Sequence, residues 1–141
     1  MPDGGGSPPP HNPGITFMKR ISTGSPFEKT LGYSRAVIKG GWCFVSGVTG
    51  YDYATMTMPE NVADQARNCF ATIAKALAEG GFTMEDIVRV QYTLTDAALI
   101  EAATPALGEA MGEIRPAATI VIAGLIKPEM LIEIEVTAFK G

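Results

Sequence analysis

The sequence predicts one α+β domain, in which a mixed β-sheet carries two helices on one face. Short apolar runs rich in β-branched residues stand near both ends of the chain, and a longer run with helical spacing lies between them. In order, the segments read β-β-(β)-α-β-α-β-β, which is typical of α+β domains. A length of 141 residues suits a single domain. The other face of the sheet then needs cover, which points to an oligomer.

The first two strands are predicted to form a β-hairpin. Residues 34–39 and 42–46 each contain an apolar run, and the Gly40-Gly41 pair between them favours a tight primed turn. A further short strand is optional at residues 51–53, after a turn flanked by glycines.

The middle of the chain predicts the first helix. Its apolar residues recur three or four positions apart, at Val62, Ala66, Cys69, Phe70, Ile73 and Leu77. Pro59 suits the first helical position, and Gly80-Gly81 suits the C-terminal cap. Residues 83–86 resemble a capping box that opens one short turn.

A strand and a second helix follow. Residues 87–95 alternate, with one face formed by Val88, Val90, Tyr92 and Leu94. Asp96 is expected to cap a helix that runs to about Met111, and Pro105 should kink or split it.

The two closing strands hold the first candidate for chemistry. In the run from Leu131 to Val136, a strand would turn Glu133 and Glu135 to one face and the isoleucines to the other. Carboxylates are seldom placed inside a sheet strand without a partner or a task. Chemistry is therefore expected at this strand.

Composition excludes several functional classes. The net charge is −4, which argues against a general binder of nucleic acid or anionic membranes. No run of 18 apolar residues and no signal-peptide pattern is present, so we expect a cytoplasmic protein. Cys43 and Cys69 are expected to pack as free thiols. With only His11, and that in the tail, no metal site or cofactor is expected.

The motifs in their order resemble the RidA/YjgF superfamily, whose members also carry the labels endoribonuclease L-PSP and translation initiation inhibitor. The similarity spans about residues 20–140 and rests on these stretches: Gly32-Tyr33-Ser34-Arg35-Ala36-Val37, Phe44-Val45-Ser46-Gly47, the helix from Gln65 to Ala78, Asp86-Ile87-Val88-Arg89-Val90, Arg115-Pro116-Ala117 and Ile132-Glu133-Ile134-Glu135. The resemblance implies a chorismate-mutase-like fold with a six-stranded sheet, assembled as a homotrimer with a ligand cleft at each subunit interface. It also implies binding of a small metabolite and, in RidA-type members, hydrolysis of enamines and imines to keto acids.

The resemblance carries two catalytic positions onto this chain, Tyr33 and Glu133. The cleft arginine of RidA-type members does not carry over, because Ala117 stands in its place. Thr119 stands where those members often have cysteine. The chain therefore looks like a branch of the superfamily that lacks the arginine. Apart from the resemblance, Ser46 follows an apolar strand and could hydrogen-bond a ligand, although its position equally suits an ordinary strand-end serine.

The missing arginine matters because a charge-assisted hydrogen bond to a substrate carboxylate is worth roughly 1.5–3 kcal/mol. Arg115 could replace it, since strand alternation would aim Arg115 and Ala117 at the same face. The alternative is an ordinary rim arginine that pairs with Glu113 or with a neighbouring subunit.

The sequence leaves the roles of the two catalytic candidates open. Glu133 could be a structural acceptor, Tyr33 could simply pack, and the protein could be a non-catalytic binding module. Ribonuclease activity is not expected, because the domain has no histidine and no basic stripe with aromatic residues. Residues 1–17 are predicted to be a low-complexity tail or a cloning remnant, and residues 18–141 to be the RidA-like domain.

Overall fold

A computed structural model of the chain describes residues 18–141; the predicted tail, residues 1–17, lies outside the described residues. Six strands form one mixed sheet: β1 (Met18–Ile21), β2 (Ala36–Lys39), β3 (Trp42–Thr49), β4 (Ile87–Leu94), β5 (Ala117–Ile122) and β6 (Ile132–Phe139). Their spatial order is β1-β2-β3-β6-β4-β5, and only β4 and β5 pair in parallel. The predicted mixed sheet is confirmed.

The optional strand at residues 51–53 is not formed. That segment makes a single isolated bridge between Asp52 and Thr57, and β1, which was not predicted, is the remaining strand of the sheet. The predicted hairpin is present, with Lys39 opposite Trp42 and a positive φ of 61° at Gly40.

Within residues 18–141, three α-helices accompany the sheet: α1 (Pro26–Leu31), α2 (Val62–Glu79) and α3 (Ile100–Met111). The two long helices pack on each other, and α2 packs on β3 and β6, as expected for helices on one face. The short α1 was not predicted because six residues are too few for a periodic pattern. Its ends are nevertheless marked in the sequence: the Ser25 hydroxyl caps it, and Gly32 ends it with φ at 78°.

Helix α2 begins three residues later than predicted. The Asn61 side chain accepts the Asp64 N–H at 2.8 Å and so caps the first turn, which leaves Pro59 outside the helix. At the other end the predicted glycine cap is confirmed, with φ at 83° at Gly81.

The second half of the chain departs from its predicted pattern in two places. The pairing of β4 with β6 shifts register between Ile87 and Arg89, and this irregularity leaves Val88 44% exposed and off the predicted apolar face. Asp96 caps a short turn that leads directly into α3, and Pro105 lies inside this helix without splitting it.

Strand β6 shows the predicted alternation. Ile132, Ile134 and Val136 are buried, whereas Glu133 is half-buried and Glu135 exposed. The glutamates therefore lie on the sheet face opposite α2 and α3, which we call the open face.

Candidate functional site

A cavity of about 230 Å³ lies beside Glu133. Four apolar side chains form part of its wall and mouth: Phe27, Leu31, Ile126 and Met130. Polar side chains line the rest: Tyr33, Ser46, Thr49, Tyr53 and Glu133. The cavity thus suits a small molecule with one apolar part and one polar part.

A β-bulge in β3 shapes the cavity next to Glu133. The register between β3 and β6 shifts between Val45 and Val48, so Ser46 and Gly47 bulge out of the ladder. A Cβ at position 47 would lie 2.6 Å from the Glu133 carboxyl carbon. Residue 47 is therefore glycine because the carboxylate packs directly on its backbone.

Glu133 has a carboxylate that is free to bind a ligand. Burial raises the pKa of Glu133, the nearby Glu135 carboxylate raises it further, and the positive charge of Arg35 opposes both effects. No hydrogen bond from the described part of the chain contributes to this shift. A half-buried carboxylate without a hydrogen-bond partner, facing a cavity, can hold a water molecule or a ligand N–H group.

Arg35 lies behind the same cavity and is fully buried. Its Nη1 donates to the Ser46 hydroxyl at 3.0 Å and to the Gly47 carbonyl at 2.8 Å. The guanidinium carbon lies 5.1 Å from the Tyr53 ring centre and 5.7 Å from the Tyr33 ring centre, within the range of cation–π contacts. Nε and Nη2 have no hydrogen-bond partner among residues 18–141.

The two tyrosines complete the polar end of the cavity. Burial raises the pKa of the Tyr33 hydroxyl, and the Arg35 charge opposes that effect. The Tyr53 hydroxyl accepts the Thr49 N–H at 3.3 Å. The Tyr33 phenol is therefore protonated near neutral pH, and its hydroxyl can donate a hydrogen bond to a ligand.

The loop between β5 and β6 forms one wall and is held by Gln65. Its Nε2 donates to the carbonyls of Pro59 at 2.8 Å and Glu129 at 2.9 Å, and its Oε1 accepts the Leu131 N–H at 3.0 Å. Gln65 is 1% exposed, so these bonds are shielded from water. They fix the loop that carries Met130 into the cavity.

Comparison with known proteins assigns the chain to a family. The family described as Endoribonuclease L-PSP matches residues 23–140. The chain belongs to the RidA/YjgF superfamily. An uncharacterized protein from Streptomyces coelicolor is 30% identical over 125 residues, which cover 88% of this chain and 93% of the relative. A RutC family protein from Pyrococcus horikoshii is 28% identical over 125 residues, which cover 87% of this chain and 99% of the relative.

The solved structures agree with this assignment. A member of the YjgF/YER057c/UK114 family from Mycobacterium tuberculosis has a TM-score of 0.80 and 34% identity, covering 88% of this chain and 100% of that chain. Yeast Mmf1 has the same TM-score at 21% identity, covering 89% of this chain and 100% of that chain, and supports the fold. The RidA fold predicted from the motifs is thus confirmed.

Three of the six site residues predicted from the sequence meet in the cavity: Tyr33, Ser46 and Glu133. Ala117 and Thr119 lie elsewhere on the same chain. The row of Glu133 across the sheet contains Thr93 and, beyond it, Val121 in β5. Ala117 is four residues from that position and two strands away, roughly 16 Å from Glu133 by strand geometry. Within one chain these two positions stay outside the cavity.

The expected geometry of Arg115 is wrong. Arg115 precedes β5 and has a φ of 51°, with its N–H bonded to the Met111 carbonyl at 2.8 Å. Strand alternation does not apply to a residue in a left-handed conformation, so Arg115 and Ala117 do not share a strand face. Arg115 is exposed and lies outside the cavity.

The cavity and the layer behind it also contain residues that the sequence did not single out. Arg35 appears in the sequence only as part of a RidA motif, although a charge at the start of an apolar strand is the same signal that singles out Glu133. Phe27 and Leu31 depend on α1, whose Ser25-Pro26 start and Gly32 end could have indicated it.

Residues 18–141 contain neither a metal-binding cluster nor a helix that could span a membrane. No group of three or more His, Cys, Asp or Glu side chains there is arranged to hold a metal ion. None of the helices in this region is long and apolar enough to cross a membrane.

Proposed function

We propose that this RidA-superfamily protein binds a small metabolite in the Glu133 cavity and hydrolyses an enamine or imine there, without a metal or organic cofactor. The observation that supports this most strongly is the Glu133 carboxylate, half-buried beside a cavity and without a hydrogen bond from the described residues. An imine needs one activated water molecule and one group that can both accept and return a proton. A carboxylate with a raised pKa suits both tasks.

The proposed reaction balances with Glu133 alone as the proton carrier. The substrate reacts as the protonated iminium ion: water attacks its carbon while the Glu133 carboxylate accepts one water proton, which forms a neutral carbinolamine. The carboxyl group then gives that proton to the amine nitrogen. As the carbon–nitrogen bond breaks, the carboxylate accepts the hydroxyl proton and passes it to the departing ammonia, so ammonium and a carbonyl compound leave and the carboxylate is restored. Tyr33 and Ser46 supply hydroxyl groups that orient the substrate.

The first experiment compares imine hydrolysis by variants. With 2-iminobutanoate generated by a dehydratase, Glu133→Gln should lower kcat by about 10²- to 10⁴-fold, as expected for loss of a general base. Glu135→Gln is the matched control on the same strand and face, and at pH 8 it should stay within about threefold of wild type. Equal turnover of wild type and Glu133→Gln would exclude the hydrolase function for this substrate.

Ala117→Arg tests the effect of the missing arginine. If the carboxylate anchor is what this chain lacks, the variant should gain roughly ten- to a hundredfold in kcat/KM for 2-iminobutanoate. Activity that appears only in Ala117→Arg would mean that the natural substrate is not held by this anchor.

The second candidate function is a non-catalytic module that binds a metabolite or a partner enzyme. The alanine at position 117 favours it. The cavity keeps the Glu133 carboxylate, but the chain lacks the arginine that RidA-type members have at the position of Ala117. Under this alternative Glu133→Gln would weaken binding without any turnover to lose. Ribonuclease action remains unsupported, since residues 18–141 contain no histidine for acid–base catalysis.

We also propose that the protein is a homotrimer whose subunits cover the open face. Three aromatic side chains are exposed there, namely Trp42, Phe44 and Phe139, with the Trp42 ring centre 4.6 Å from Phe139 and 6.1 Å from Phe44. An exposed apolar cluster on an uncovered sheet face is typical of a subunit interface. A neighbouring subunit would also bring its own β5 edge near the Glu133 cavity.

Light scattering after gel filtration tests the trimer. Three chains of 14.9 kDa give about 45 kDa. Phe44→Glu should dissociate the trimer, whereas Ile100→Glu, an exposed apolar position at the start of α3, should not. A wild-type mass near that of one chain would contradict the proposal.

A cytoplasmic location is part of the same proposal. Cys43 and Cys69 are free and buried, as expected in a reducing compartment. Imaging of the tagged full-length chain would test this location.

A further inference from the structure

Arg35 carries a charge that its structural contacts do not explain. Only Nη1 donates hydrogen bonds, to Ser46 and Gly47, and a neutral amide could donate them equally well. Nε and Nη2 are buried without partners, and within residues 18–141 no carboxylate forms an ion pair with Arg35. Against the effect of burial, hydrogen bonds from Thr23 lower the pKa of Glu28 and the Arg35 charge helps, but the Glu28 carboxylate does not hydrogen-bond to the guanidinium. Burial of an arginine in this way is costly, so it points to a task for the charge.

The bulge places this charge directly behind Glu133. The Glu133 carboxylate packs against the Cα of Gly47, and Arg35 Nη1 donates to the carbonyl of the same residue at 2.8 Å. One glycine therefore separates the two charged groups. The Tyr33 and Tyr53 rings cover the guanidinium and separate it from the cavity, so Arg35 does not itself touch a ligand.

Other groups that face Glu133 are few in the described chain. They are Glu135 on the same strand, Tyr33 and Tyr53 across the cavity, and Cys69 on α2. The Tyr33 phenol and the buried Cys69 thiol are neutral near pH 7, because burial raises the pKa of each. Among these groups, Arg35 is therefore the one positive charge, and it opposes the rise in the Glu133 pKa that burial and Glu135 cause.

We infer that Arg35 is a positioning residue of the cavity, whose buried charge keeps the Glu133 carboxylate ionised and held against Gly47 beside the cavity. The inference rests on the proposed role of Glu133. It gives this chain a cation behind the cavity wall, whereas the cleft arginine implied by the RidA resemblance would contact substrate directly. The guanidinium lies behind the tyrosine rings, and the described residues that line the cavity include no lysine or arginine. The Arg35 charge therefore supports water activation by Glu133 and does not bind a substrate carboxylate.

The test is a carboxyl NMR titration of Glu133, which needs no enzyme activity. Glutamate carboxyl carbons are labelled in the full chain, and Glu133 is assigned by the signal lost in Glu133→Gln. In Arg35→Gln the Glu133 midpoint should shift to higher pH, because an opposing positive charge is gone. In Arg35→Lys, which keeps the charge, the midpoint should stay close to that of wild type.

A purely structural role would give a different result. Both Arg35 variants would then lose stability while their Glu133 midpoints coincide with wild type, and this outcome would overturn the inference. Wild-type protein supplies a second measurement in case Arg35→Gln does not fold. The Arg35 Nε resonance should follow the Glu133 midpoint and lose that transition in Glu133→Gln; a resonance that is flat through the Glu133 titration would also overturn the inference.

The titration also separates the positioning role from the proposed hydrolysis. If the enzyme assay shows no turnover but the Glu133 midpoint responds to Arg35, the positioning role stands and the hydrolase function fails. If turnover depends on Glu133 but the midpoint ignores Arg35, the reverse holds.

Discussion

Replacing Gln65 by leucine should destabilise the protein strongly, because this one side chain holds two loops. Gln65 is 1% exposed and makes three hydrogen bonds of 2.8–3.0 Å to the backbone of Pro59, Glu129 and Leu131. Leucine has nearly the same volume, so the change removes the bonds without opening a large cavity. Two carbonyl groups and one N–H group lose their partner.

The expected loss follows from the cost of unpaired buried groups, about 1–3 kcal/mol each. Glu129 is exposed, so water can recover part of that cost. The other two groups then cost about 2–6 kcal/mol of unfolding free energy. For a chain of this length, that corresponds to a fall in Tm of roughly 7–20 °C.

Urea denaturation at one fixed protein concentration measures this loss, since subunit association would make the result depend on concentration. Asn68→Leu is a graded control on the same helix, because Asn68 donates one hydrogen bond, to the Gly50 carbonyl at 3.0 Å. It should cost about 1 kcal/mol. A Gln65→Leu loss no larger than that of Asn68→Leu would refute the reasoning.

Three further predictions concern the packing at Gly50, the buried thiols and the Glu133 carboxyl. Gly50→Ala should cost about 1–3 kcal/mol in urea denaturation, because the new Cβ would lie 2.7 Å from the Gln65 Cα; an unchanged midpoint would contradict it. Burial raises the pKa of Cys43 to about 11 and also raises the pKa of Cys69. A thiol reagent at pH 8 should therefore label both cysteines only after unfolding. Rapid labelling of the folded protein would contradict this prediction. Burial also raises the pKa of Glu133, so the folded state binds this proton more tightly than the unfolded state. Stability is therefore lost as pH rises from about 4.3, the pKa of an unfolded glutamate, through the higher pKa of the folded state. Glu133→Gln should therefore be more stable than wild type at pH 7 and lose that advantage near pH 4; a variant less stable at pH 7 would count against it.

Much of the fold follows from periodic patterns. The alternation of Ile132, Glu133 and Ile134 and the helical spacing of α2 are local signals, and the structure keeps both. The strand Met18–Ile21 and the helix Pro26–Leu31 are too short for such signals, and their positions depend on contacts with the rest of the chain. The exposure of Val88 comes from a register shift that only strand pairing can set.

The site is less accessible to sequence reasoning than the fold. Glu133 stands out because a carboxylate within an apolar strand is unusual, whereas the full burial of Arg35 arises from the bulge and from two tyrosine rings. Arg115 shows the opposite error. Its spacing from Ala117 suggests a shared face, but a φ of 51° takes it out of the strand.

A crystal structure of the free protein tests the central claim most directly. We predict an ordered water molecule hydrogen-bonded to the Glu133 carboxylate, in a cleft whose far side is formed by a second copy of the chain. A Glu133 carboxylate bonded to backbone groups with no room for water, or a cleft that no neighbouring subunit approaches, would contradict it.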